Sequence, residues 1–107
     1  MLTTNHQEKY SAFYESTHKN EYLDSKVELL VGLSAAMAMN CAPCVRYYLH
    51  EAKKANISKG EVSEVLAKVM AVSAGQKRLQ FQEVLSNNSI SLDDYEFACK
   101  QKWVVVN

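Results

Sequence analysis

Residues 25–44, SKVELLVGLSAAMAMNCAPC, decide the fold of this chain. As far as Met39 the segment is apolar on nearly all sides, which is typical of a helix that must be covered all round. Ser25 and Glu28 have the spacing of a capping box, so we expect the helix to begin at Ser25. In a chain of 107 residues, such a helix predicts a subunit interface as well as a core.

The rest of the chain is also predicted to be helical. Three glycines and one proline provide few turn signals, and the only β-branched run is at 104–106. We expect a first helix over about Asn5–His18 and a second over Ser25–Met39. Asn40 is expected to cap a third helix that ends near Asn56, and the Ser58–Glu61 capping box to begin a fourth that Gly75 stops. A fifth helix is expected over Lys77–Leu85, and a sixth from Ser91 to about Lys102. We therefore expect one domain over residues 1–107, a compact all-α bundle of about six helices.

Composition and charge argue against several classes of partner. Twelve basic and twelve acidic residues give zero net charge, so we expect no nucleic-acid partner. The nearly uncharged run at 29–42 is too short to span a bilayer, so we expect no membrane partner. The first ten residues lack the features of a signal peptide. These observations favour a cytoplasmic protein.

The three cysteines indicate thiol chemistry. An odd number does not fit a secreted disulfide framework, and Cys41 and Cys44 form a CxxC pair. In a reducing compartment, such a pair is usually redox-active or metal-binding. Zinc would need two further ligands, and no second close pair exists among Cys99, His6, His18 and His50. We therefore predict no metal and no cofactor, with zinc as the less favoured alternative and Cys99 as a structural thiol.

The CxxC spacing has a mechanical reason. Residues i and i+3 share one face of a helix, close enough for a disulfide across one turn. At a helix start, unpaired N–H groups and the helix dipole favour a thiolate, and a thiol pKa can fall from about 8.5 to roughly 3.5–7.5. Pro43 fits the first turn, where its missing N–H costs nothing. This argument makes Cys41 the more acidic thiol.

Residues 23–66 around the pair resemble the carboxymuconolactone decarboxylase superfamily, in particular its alkylhydroperoxidase D-like members. The shared pattern is a helix, a CxxC that opens the next helix, an Ala-rich stretch, a Gly or Asn break, a Ser/Thr cap and a Glu-Ile/Val-x-Glu continuation. The corresponding pieces here are Cys41-Ala-Pro-Cys44, residues 52–55, Asn56, Ser58 and Glu61-Val-Ser-Glu64.

The resemblance implies an all-helical subunit that forms homo-trimers or hexamers. It also implies a dithiol that reduces a hydroperoxide substrate and passes through a disulfide, which an external thiol or dithiol reductant reopens. In the family Cys44 would meet peroxide and Cys41 would resolve the intermediate, whereas the helix-dipole argument favours Cys41 as the acidic thiol. The sequence leaves both assignments open.

Two positions depart from the family pattern. The family's proton relay uses a His four residues after the second cysteine, where this chain has Tyr48, and a Glu twelve residues before the first, where it has Leu29. Glu28 is one step away, about 100° around the helix, and we interpret it as the capping-box partner of Ser25. Tyr48 shares the cysteine face. Its hydroxyl would orient peroxide or stabilise a thiolate, or its ring only packs beside the pair.

Other bases are less well placed by spacing. We expect His50 on the opposite side of the helix, at a surface or interface. Glu51 is on the cysteine face but about 10 Å along the axis, so it would act only through Tyr48 or water. His6 or His18, in the first helix, are candidates for a base from a neighbouring subunit.

The candidate site residues are therefore Cys41, Cys44 and Tyr48, in a thiol-dependent peroxidase of antioxidant defence. The alternative is a non-catalytic redox-sensing or interaction subunit that uses the same dithiol. A lactone decarboxylase is less favoured, since family members with that activity generally lack CxxC and rely on His and Arg, and Arg46 is the only arginine near the site.

Overall fold

The computed structural model describes residues 1–96, and all the regular secondary structure in that range is helical. Its helices are α1 (Thr4–Ser16), α2 (Ser25–Ala38), α3 (Ala42–Lys54) and α4 (Lys59–Asn87), followed by a 3-10 turn at Leu92–Asp94. The all-α prediction is confirmed, with four α-helices in the described residues instead of about six. No described helix is long and apolar enough to cross a membrane.

The predicted fourth and fifth helices are one helix, because α4 continues through Gly75. A glycine inside a helix costs about 1 kcal/mol relative to alanine, which the good helix formers around it offset. The Ser58–Glu61 capping box that begins α4 is confirmed: the Glu61 N–H donates to Ser58 Oγ (3.1 Å), and the Ser58 N–H donates to Glu61 Oε1 (3.0 Å). Gly75 was wrongly predicted to stop the helix, since no left-handed residue is needed there.

The predicted sixth helix begins only as a 3-10 turn. Ser91 is its N-cap, as expected, and its hydroxyl accepts from the Asp93 N–H at 3.2 Å. Tyr95 and Glu96, which the prediction placed in that helix, are not helical. The rest of the prediction, from residue 97 to about Lys102, lies outside the described residues, as do Cys99 and the β-branched run at 104–106.

The chain divides into two compact units, of which the first is Met1–Ser73 and the second begins at Ala74. The first unit contains the CxxC pair. In it α2 packs closely on α3, and the buried apolar residues are Leu33 and Ala36 of α2 and Ala52 of α3. The CxxC pair therefore lies at the start of a helix that is anchored by this contact.

Candidate functional site

Cys41 and Cys44 form a disulfide across the first turn of α3, with their Cα atoms 5.2 Å apart. Cys41 is the N-cap residue of α3, and Pro43 lies in the first turn. The prediction that CxxC opens a helix is thus confirmed. The same position exposes the pair to the positive end of the helix dipole, which favours the thiolate over the thiol once the disulfide is reduced.

The connection between α2 and α3 fixes the position of Cys41. Asn40 has a left-handed backbone with φ 57°, and its N–H donates to the Met37 carbonyl at 3.2 Å. The Cys41 N–H donates to the Ala36 carbonyl at 3.0 Å, which completes a Schellman motif. The expectation that Asn40 caps α3 was therefore wrong: Asn40 ends α2, because asparagine tolerates the left-handed conformation that this motif requires.

A cleft of about 570 Å³ opens beside Cys44, which is half-buried. Its lining is partly aromatic, and comprises Tyr14, Glu15, His18, Pro43, Cys44 and Tyr47. The His18 ring meets the Tyr14 ring edge-on at 4.9 Å between centroids, and lies 6.1 Å from the Tyr47 ring. A small molecule in this cleft would therefore lie against both Cys44 and His18.

Glu28 has a different role from the predicted one. The N-cap of α2 is Asp24, whose carboxylate accepts from the Val27 N–H at 2.8 Å, so the Ser25–Glu28 capping box does not form. Glu28 is instead mostly buried, with 15% of its side chain exposed, and its Oε1 lies 3.3 Å from Nδ1 of His18. Asp24 and Ser25 are both good N-caps, and an Asp24 cap leaves Glu28 available for this contact.

Tyr48 packs against α2. A Cβ added at Gly32 would overlap the Tyr48 ring and come within 2.8 Å of its hydroxyl oxygen. Burial, helped by the neighbouring charges of Tyr14 and Glu28, raises the pKa of Tyr48 to about 12. Burial likewise raises the pKa of Tyr47, with Glu51 adding to the effect. Tyr48 is not among the residues that line the cleft of Cys44.

The other candidate bases are spread around the first unit. His6 and His50 are exposed, as expected for His50. Glu51 pairs with Lys54 at 2.9 Å and lines a second cleft, which adjoins His18. That second cleft also contains Leu29, the position of the family Glu, and is lined by His18, Lys19, Asn20, Leu23, Ser25, Glu28, Leu29, Tyr47 and Glu51.

Neither Arg46 nor a cluster of metal ligands joins the cleft of Cys44. Arg46 lines a separate apolar cleft with Met37, Val45 and Leu49. Within residues 1–96, no group of three or more His, Cys, Asp or Glu side chains is arranged to hold a metal ion. Besides Cys44, the ionisable side chains that line its cleft are those of Tyr14, Glu15, His18 and Tyr47.

Sequence reasoning had named His18 as a candidate zinc ligand and as a candidate base from a neighbouring subunit. The structure places it in the same chain, after the end of α1, beside both Glu28 and the cleft of Cys44. No local pattern reveals this contact, because it joins residues ten positions apart across a loop.

Comparison with known proteins identifies the family. A crystal structure of a protein from Methanobacterium thermoautotrophicum is similar, with a TM-score of 0.68 and 26% identity over 72% of this chain and 86% of that chain. Comparison with curated proteins finds no significant match. The profile described as "Carboxymuconolactone decarboxylase family" matches residues 5–86, which include all the groups described above. The chain therefore belongs to the carboxymuconolactone decarboxylase family.

Proposed function

We propose that the chain is a thiol-dependent peroxidase, similar to alkylhydroperoxide reductases, that uses Cys41 and Cys44 as a redox-active dithiol in cytoplasmic antioxidant defence. The observation that carries the proposal is the disulfide at the start of α3, beside a cleft open to a small molecule. Membership of a family with redox members supports it. The substrate is a hydroperoxide, and the reductant is an external thiol or dithiol.

The position of Cys44 supports it as the sulfur that meets peroxide. Cys44 lines the cleft, whereas Cys41 occupies the N-cap. In the reaction, the Cys44 thiolate attacks the terminal peroxide oxygen, the O–O bond breaks, and the alkoxide takes a proton to leave as an alcohol. Cys44 becomes a sulfenic acid. Cys41 then displaces hydroxide, which leaves as water, to form the disulfide, and two electrons from the reductant restore both thiols.

Tyr48 belongs to this proposal as a positioning residue. Its ring packs on Gly32 and so joins the cysteine-bearing helix α3 to α2. With a pKa of about 12, its hydroxyl stays neutral at physiological pH and is a poor base. A Tyr48→Phe variant keeps the ring, so we expect it to keep most of the peroxidase rate.

The lactone decarboxylase alternative is less well supported by the site. That chemistry, as the family resemblance describes it, relies on His and Arg in one pocket. Here Arg46 and His18 line different clefts. We therefore propose peroxide reduction. The competing outcome of the test is a redox sensor, in which the disulfide forms reversibly without catalytic turnover.

The test is the rate of hydroperoxide consumption with a dithiol reductant in excess. We expect turnover by the wild type and loss of turnover in both Cys41→Ser and Cys44→Ser. Cys99→Ser is the matched control, since it removes a thiol and leaves the pair intact. A pair that oxidises and reduces reversibly but consumes no peroxide catalytically would overturn the enzyme and favour redox sensing. Consumption that survives in both serine variants would contradict any role for the pair.

A further inference from the structure

The carboxylate of Glu28, which is largely shielded from solvent, contacts the His18 ring. Its Nδ1 lies 3.3 Å from Glu28 Oε1, and both side chains are mostly shielded, with 22% and 15% exposed. A carboxylate on Nδ1 favours the tautomer that carries its proton there, which leaves Nε2 as the acceptor. The contact therefore prepares His18 to take a proton at its other nitrogen.

The imidazole lies between Glu28 and the cleft of Cys44. His18 lines both the cleft that contains Glu28 and the one that contains Cys44. The ring centroids of Tyr14 and Tyr47 lie 4.9 and 6.1 Å from the centroid of the His18 ring, so two aromatic rings flank the imidazole. A base whose orientation is set by a third group, beside a thiol, is the arrangement by which nucleophilic cysteines are activated.

We infer that His18 is the proton acceptor for the Cys44 thiol, and that Glu28 is the residue that positions His18. This inference rests on the proposed function, in which Cys44 attacks peroxide. The S–H proton of Cys44 moves to Nε2 of His18, giving a thiolate–imidazolium pair. After the sulfur attacks the peroxide, the imidazolium gives that proton to the leaving alkoxide. His18 is then neutral again when the alcohol leaves.

The surroundings of His18 contain no second imidazole among the residues that line the two clefts. Glu51, the nearest alternative carboxylate on α3, pairs with Lys54 at 2.9 Å. The titratable and charged groups that face His18 are Tyr14 and Glu15 from α1, Lys19 from the connection, Glu28 from α2, and Tyr47 and Glu51 from α3. Of these, Glu28 makes the hydrogen bond to the ring.

The test measures thiol reactivity without peroxide. In a reduced Cys41→Ser/Cys99→Ser background, Cys44 is the single thiol, and its alkylation by iodoacetamide is followed from pH 5 to 10. We expect His18→Gln to move the midpoint of the rate profile upward by about one unit, toward an ordinary thiol pKa, and to slow alkylation at pH 7 about tenfold. Glu28→Gln should shift the profile in the same direction by less.

The controls are His6→Gln and His50→Gln, which replace exposed imidazoles and should leave the profile unchanged. If His18→Gln is poorly folded by circular dichroism, the Glu28→Gln profile decides the question. A profile in which both variants match the controls would overturn the inference. Because alkylation needs no peroxide, a shifted profile in a protein without peroxidase turnover would overturn the proposed function and leave the His18–Cys44 pair standing.

Discussion

Gly32 of α2 lies directly against the Tyr48 ring of α3. It lies in the interior of α2, where alanine would give about 1 kcal/mol of additional helix propensity. The space for a Cβ, however, is occupied by the Tyr48 ring. A glycine in this helix is thus explained by close approach, and the aromatic ring fills the volume that a larger residue would take.

We expect Gly32→Ala to lower the free energy of unfolding by about 1 kcal/mol, because overpacking that costs ~1–3 kcal/mol exceeds the gain in propensity. The matched control is Gly75→Ala, because no atom of the described residues lies within 4 Å of a Cβ added there. This variant should stabilise the protein by ~0.5–1 kcal/mol. Urea denaturation at fixed protein concentration measures both.

Gly32→Ala in a Tyr48→Leu background tests whether the Tyr48 ring causes the loss of stability. Leucine lacks the outer ring atoms and hydroxyl that the new Cβ would meet, so Gly32→Ala should there become neutral or stabilising. Equal stabilisation by alanine at Gly32 and Gly75 in the wild-type background would contradict the packing argument.

Residue-scale sequence reasoning succeeded where the chemistry is local. The CxxC pair at a helix start and the Ser58–Glu61 capping box follow from spacing alone, and both are present. The His18–Glu28 contact does not follow from spacing, because it depends on where a loop returns the chain. The Tyr48–Gly32 contact depends in the same way on how two helices pack.

At the scale of the elements, the ends of the helices were harder to predict than their existence. Asparagine at position 40 and at position 56 is left-handed, with φ of 57° and 59°, and serves as a C-terminal cap instead of glycine. Gly75, the residue expected to end a helix, lies inside one. Capping residues are interchangeable enough that tertiary context decides which one is used.

The start of α2 provides a direct test of this point. Asp24 accepts the Val27 N–H at 2.8 Å, so Asp24→Ala should destabilise the protein by about 1 kcal/mol. Ser25→Ala, one residue later, is the matched control and should change stability by less than about 0.5 kcal/mol. The urea midpoints of the two variants distinguish the two positions. A larger loss of stability in Ser25→Ala than in Asp24→Ala would favour the Ser25–Glu28 capping box instead.

The start of α4 is tied to α2 by an ion pair. Lys26 Nζ lies 2.6 Å from Glu61 Oε2, and Glu61 also bonds the Ser58 N–H. Lys26, with help from Ser58, lowers the pKa of Glu61 to about 2. Since the folded state favours the carboxylate, the contribution of Glu61 is fully present above its ordinary pKa of about 4.5 and is lost as pH falls toward 2.

We therefore expect the difference in stability between wild type and Glu61→Gln to be constant above about pH 5 and to shrink steadily between about pH 4.5 and 2. Urea midpoints across this range measure it. Glu64→Gln, one turn along the same helix, has no ion pair within the described residues and should keep the wild-type pH dependence. A Glu61→Gln difference that stays constant down to pH 2 would contradict the ion-pair argument.

At the scale of the whole molecule, the described chain buries little apolar surface. Its buried hydrophobic residues are Leu33, Ala36 and Ala52, while Val31 of α2 and Met70 of α4 are 51% and 61% exposed. Soluble domains rarely leave large contiguous apolar surface in contact with water. The apolar character of α2 on nearly all sides predicts a subunit interface there, which would cover such surface.

We accordingly expect a homo-oligomer, the trimer or hexamer that the family resemblance implies. Light scattering on a sizing column should give a mass well above the 12.1 kDa of one chain. Because association stabilises the folded state by mass action, the urea midpoint should rise with protein concentration.

Val31→Glu places a charge on the exposed face of α2 and should lower the mass of the assembly. The comparison variant is Lys68→Glu, which changes an exposed and already charged position of α4 and should leave that mass unchanged. A mass of one chain together with a midpoint that is independent of concentration would contradict the assembly and require the exposed face of α2 to be stable in water.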